Sequence, residues 1–137
     1  MAATVLMVAS AAILFTFGLL HLFYTFSGSK LSPRDPALRT RMTEVSPVIT
    51  RESTMWRCWV GFNVTHSMAL MLFGLIYGFL AIAHSSLLFA SPYLLVVGLL
   101  TLGALVALAK AYFFSIPFRG AAIALVCYLA SVIASMR

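Results

Sequence analysis

Four long apolar runs, separated by one polar stretch and two short breaks, organise the chain. The runs cover about residues 3–27, 56–84, 93–114 and 117–136. Each reaches the roughly 20 residues needed to cross about 30 Å of hydrocarbon. None is broken into the short alternating segments that build a membrane barrel. The pattern predicts an all-α fold: one domain over residues 1–137, an integral membrane bundle of four transmembrane helices. No Lys or Arg precedes the first run, its apolar length exceeds the roughly 7–15 residues of a signal peptide, and no small-residue cleavage site follows. It is expected to be retained as a helix.

The polar stretch, residues 28–55, carries two helix-start signals, Asp35-Pro36 and Ser46-Pro47. In each, a capping residue is followed by proline at the first helical position. Between Pro36 and Val45, the residues Leu38, Met42 and Val45 share a face, with Arg39, Arg41 and Glu44 pointing elsewhere. A short amphipathic helix in the membrane interface is expected here. Trp56 and Trp59 mark the return to the membrane at headgroup level. Ser91-Pro92-Tyr93 and Ser115-Ile116-Pro117-Phe118 read as tight turns between helices.

Composition agrees with the pattern: 63% of residues are hydrophobic and 9% charged, with a mean hydropathy of +1.06. A soluble domain carries about 25% charged residues. The net charge of +6 would fit a nucleic-acid partner, but its placement argues otherwise. Lys30, Arg34, Arg39, Arg41, Arg51 and Arg57 lie between the first two spans, and Lys110 and Arg119 flank the third connection. The second connection, Ser85–Pro92, is uncharged. Positive residues mark the cytoplasmic side, so segments 28–55 and 110–120 are expected there and both termini outside. Anionic membrane lipids are the expected partners, and nucleic acid is not. Cys58 and Cys127 differ in depth by about 10 Å or more on straight helices. Disulfide geometry needs Cα atoms within about 7 Å, so both are expected to pack as free thiols.

The second span contains the unusual chemistry, in the stretch GFNVTHSM. Asn63, His66, Ser67, Leu70, Gly74, Tyr77, Gly78 and Ala81 fall on one helical stripe, with Phe62, Met68, Leu72, Phe73, Phe79 and Leu80 mostly away from it. Gly74-x-x-x-Gly78 permits close helix approach. The first span offers a counterpart stripe of Ser10, Leu14, Phe17, Gly18, His21, Thr25 and Gly28. His21 and His66 lie about equally far from the same end of their spans, which predicts neighbouring imidazoles. Asn63 is then expected to orient His66 or its ligand. Asn63-Val64-Thr65 matches a glycosylation sequon, but a site inside a span is not an acceptor.

Intramembrane ionisable residues point to function, and several readings follow. In the first, His21, Asn63, His66 and Ser67 form a polar pocket bordered by Gly18, Trp56 and Trp59. It would bind a lipophilic ligand, or serve an accessory subunit of a larger membrane complex or a homo-oligomer. In the second, His21 and His66 ligate b-haem or a metal. A third is a membrane enzyme acting on a lipophilic substrate, and the plainest is hydrogen bonding between helices. A catalytic role is disfavoured. No span holds a carboxylate, and Ser67 points about 100° away from the adjacent His66, so the two do not form a nucleophile–base pair. His84, Lys110 and Tyr112 read as residues at span ends.

His21 in GLLHLFYTF, the sequence TMW ending the polar stretch, and GFNVTHS together resemble an uncharacterised family of small bacterial four-helix integral membrane proteins. The resemblance covers about residues 18–78. It implies a four-helix fold in a bacterial cytoplasmic membrane and carries no reaction with it.

Overall fold

The computed structural model describes every residue from Met1 to Arg137. Six helices follow in order: α1 (Ala2–Phe26), α2 (Pro36–Glu44), α3 (Met55–Ala83), α4 (Ser85–Ala90), α5 (Pro92–Tyr112) and α6 (Ser115–Ser135). There are no strands. Four of them, α1, α3, α5 and α6, are long and apolar enough to cross a membrane. The protein is therefore an all-α integral membrane protein.

The chain forms two compact units. One comprises Met1–Phe17 with Leu70–Arg137, the other Gly18–Ala69. The first is a four-helix bundle made of the start of α1, the end of α3, α5 and α6. Its core interleaves Met7, Ala11 and Leu14 of α1 with Leu70, Phe73, Tyr77 and Ala81 of α3, Leu102 of α5, and Ala124 and Tyr128 of α6. Large apolar side chains such as Leu72, Phe79, Leu100 and Val126 face outward. That arrangement suits a lipid solvent, which imposes no penalty on apolar surface.

With lipid outside, burial of apolar area cannot hold such helices together, and close packing and hydrogen bonds take over. Gly74 supplies the packing. A β-carbon there would lie 2.6 Å from Phe15 Cβ and 2.7 Å from the Ala11 carbonyl oxygen, so only glycine lets α3 approach α1 this closely. The hydrogen bonds run from side chains to main-chain carbonyls on other helices. Ser10 Oγ donates to Ala124 O at 2.7 Å, Tyr77 Oη to Leu94 O at 2.7 Å, Tyr128 Oη to Leu95 O at 2.7 Å and Ser131 Oγ to Ala3 O at 2.7 Å. Each hydroxyl that enters the core has an acceptor there, as a low-dielectric interior demands.

Several local expectations change. Phe73, expected to point away from the packed stripe of α3, is buried beside Tyr77 with rings stacked at 4.3 Å. The uncharged connection contains the extra short helix α4, whose Leu88 enters the core. The last turn is shorter than its sequence implied: α5 ends at Tyr112 and α6 starts at Ser115. Pro117 therefore lies in the first turn of α6, where its missing N–H breaks no helical bond.

In the second unit, Gly28 turns the chain out of α1 with φ +81°, a left-handed conformation that favours glycine. Asp35 caps α2 as expected, its Oδ1 accepting from Ala37 N at 2.9 Å, with Pro36 at the first helical position. Ser46-Pro47 does not start a helix. It leads into a turn closed by Thr50 N on Pro47 O, and Met55 N bonds Val45 O at 2.8 Å. That bond ties the entrance of α3 to the end of α2.

Candidate functional site

The polar residues of α1 and α3 meet inside the Gly18–Ala69 unit. Asn63 is buried and holds the centre. Its Nδ2 donates to the Trp59 carbonyl one turn earlier at 2.7 Å, which fixes the amide so that Oδ1 faces α1. His21 Nε2 lies 2.8 Å from that oxygen. A carbonyl oxygen only accepts, so Nε2 carries the proton in this bond. The His66 ring packs edge to face on His21, centroids 5.1 Å apart at 73°. Asn63 thus orients His21, and His66 joins through ring contact.

Ser67 is fully buried, and its Oγ donates to Asn63 O at 2.8 Å. This back-bond within α3 uses the hydroxyl proton on a carbonyl, not on an imidazole. Gly18 is buried one turn before His21. Gly61, which could have made room beside the histidines, has open space where a side chain would be.

A cavity of about 130 Å³ opens beside Asn63. Asn63, Trp56 and Trp59 line it together with Tyr24, Thr25 and Arg39. Trp59 is braced by its Nε1, which donates to Leu31 O at 2.9 Å. The cavity shares Leu31, Ser32 and Trp59 with a more open groove of about 380 Å³, completed by Lys30, Pro33 and Met42. Of the residues singled out in the sequence, three line the cavity and His21 reaches it through Asn63. Gly18, His66 and Ser67 lie outside its wall.

Arg39 is the residue that sequence reasoning placed wrongly. It was expected to point away from the packed face of α2, yet its guanidinium carbon lies 3.4 Å above the Trp56 ring centroid. The signal was available: Arg39 and Met42 are three residues apart and so share a face of α2. Met42 and Arg39 both turn toward the tryptophans, while Leu38 is half exposed. A guanidinium stacks on aromatic faces as an apolar side chain would, which a count of hydrophobic positions overlooks.

Bis-imidazole ligation of a haem iron needs one nitrogen from each histidine directed at the ion, with the macrocycle between the rings. Here the two rings touch edge to face with centroids 5.1 Å apart, which leaves no space for a macrocycle between them. No group of three or more His, Cys, Asp or Glu side chains converges anywhere in the chain, whereas structural and catalytic zinc sites use three or four protein ligands. Cys58 and Cys127 are both free and half-buried. His84 lies exposed at the start of α4 with its ring against Phe79.

No family model matches the chain, and no curated protein or solved structure is significantly similar to it.

Proposed function

We propose that this membrane protein is a non-catalytic binder of a lipophilic molecule, whose polar head enters the cavity of the Gly18–Ala69 unit. The observation that carries this reading is the cavity wall itself, in which Trp56, Trp59 and Tyr24 alternate with Asn63, Thr25 and Arg39. Ligand sites pair apolar walls with a few placed polar groups. Most such sites enclose about 300–1,000 Å³, so a cavity of about 130 Å³ takes a head group and leaves the rest of the molecule in the groove or in lipid. The basic residues of segment 28–55 support a cytoplasmic position for this site.

The hydrogen-bond pattern favours binding over catalysis. Ser67 gives its proton to a carbonyl, so it has no base to activate it. Among the acids, Asp35 caps α2 and Glu44 pairs with Arg41 at 3.1 Å.

Gentle detergent extraction followed by mass spectrometry tests the proposal. A lipophilic molecule should co-purify in stoichiometric amount and be lost from Asn63→Leu and Trp59→Ala proteins that remain helical and monodisperse. A larger protein partner in place of a small molecule would favour an accessory subunit. Turnover of the bound molecule, abolished in His66→Ala, would make the protein an enzyme.

A further inference from the structure

Arg39 sets a condition on the head group. Its Nε is buried and has no hydrogen-bond partner, and the side chain forms no ion pair. The chain has only three acidic residues. Asp35 Oδ1 is engaged by Ala37 N and Glu44 by Arg41. The third acid, Glu52, is exposed and forms no ion pair, the one salt bridge being Arg41–Glu44. No carboxylate therefore pairs with Arg39, whose guanidinium is stacked on Trp56 beside a cavity. A partly buried cation without a counter-charge is costly, and an anion placed against it offsets that cost. Stacking engages only the face of the guanidinium. Its N–H groups lie in the plane and remain directed sideways, in the fork that matches phosphate or carboxylate oxygens.

The surroundings continue the pattern. Lys30 Nζ lies 3.9 Å over the Tyr24 ring centroid, which places a second cation where cavity and groove adjoin. Leu31, Pro33, Met42 and Trp59 give the groove its apolar wall. A positively charged cavity opening into an apolar groove matches an amphiphile with an anionic head.

We infer that Arg39, held on Trp56, is an oxyanion subsite for the phosphate or carboxylate head of a membrane amphiphile, whose chain lies along the groove of Leu31, Pro33, Met42 and Trp59. This rests on the binding reading given above and specifies its ligand class. It also separates Arg39 from Arg41, which lies on the same short helix, is exposed and is already paired with Glu44.

The two tryptophans of the chain both line the cavity, so intrinsic fluorescence reports on it directly. The full-length protein in phosphatidylcholine micelles is titrated with bromine-labelled phosphatidylglycerol, a phosphate-headed anionic lipid, and in parallel with bromine-labelled phosphatidylcholine. Phosphatidylglycerol should quench at about tenfold lower mole fraction, the size expected of one charge-assisted hydrogen bond. Arg39→Gln should abolish that preference, while Arg41→Gln, which removes the same charge, should keep it within about twofold. Should Arg39→Gln fail to fold, Arg39→Lys retains the charge and loses the planar fork, and it should lower the preference without changing phosphatidylcholine quenching.

Equal loss in the Arg39 and Arg41 variants would reduce the effect to general charge and overturn the subsite. So would an Arg39→Gln protein that keeps its preference. Inorganic phosphate alone is expected to leave the fluorescence unchanged; an Arg39-dependent response to it would overturn the amphiphile and identify a free anion. Equal quenching by both lipids, with a lipophile still co-purifying, would refute the anionic head and leave the binding reading standing. Absence of any bound lipophile would refute that reading itself.

Discussion

His21 and Asn63 are joined across two helices by a hydrogen bond of 2.8 Å, from the imidazole Nε2 to an amide oxygen whose own orientation is fixed by the Trp59 carbonyl. The pair is a direct side-chain hydrogen bond between α1 and α3. It also connects the histidines to the cavity wall.

That bond should show as thermodynamic coupling. In a double-mutant cycle of His21→Leu and Asn63→Leu, followed by denaturing-detergent titration, the expected coupling is about 0.6 kcal/mol and no more than about 1.7 kcal/mol, the range for such bonds in membranes. A coupling of zero would show that the two side chains do not interact in the folded protein.

The glycines of α3 should respond in opposite ways. Gly74→Ala places a methyl group against Phe15 and the Ala11 carbonyl, and the backbone oxygen cannot swing aside. A loss of about 1–3 kcal/mol is expected, as for overpacking in a tight core. Gly61→Ala meets nothing within 4 Å and should be neutral within about 0.5 kcal/mol. Equal stability of the two variants would contradict the close approach of α3 to α1.

Topology is checked by labelling single cysteines in a background with Cys58 and Cys127 replaced by alanine. A cysteine at Ser29 should react only after the cytoplasmic side is opened, and one at Ser86 should react from outside. Labelling of both from the same side would refute the inferred orientation.

Absorption of the purified protein tests the haem and metal readings. With the two rings in contact and no group of three or more metal-ligating side chains in the chain, no Soret band is expected, and added zinc should bind no more tightly to the wild type than to the His21→Leu, His66→Leu protein. A sharp Soret band lost in either histidine variant would require the pair to rearrange around iron.

Some of this protein was determined by its sequence alone. The four spans follow from apolar length, because lipid accepts only segments whose backbone bonds are satisfied internally. The Asp35-Pro36 start of α2 is local chemistry, complete within three residues. The stripe of Asn63, Ser67, Leu70, Gly74, Tyr77 and Ala81 is buried as its helical spacing implied, since 3.6-residue periodicity survives any choice of partner. Tertiary structure decided what those faces meet. Ser46-Pro47 has the same start signal as Asp35-Pro36, but the bond from Met55 N to Val45 O holds the chain in a turn there. Phe73 is buried because the ring of Tyr77 lies over it. Asn63 chose His21 because its amide was already fixed by Trp59 O. Arg39 turned inward because Trp56, seventeen positions later, offers a flat aromatic face to a weakly hydrated planar cation. The partner of a polar or amphipathic side chain is set by what the fold brings within a few ångströms, and that information is not local.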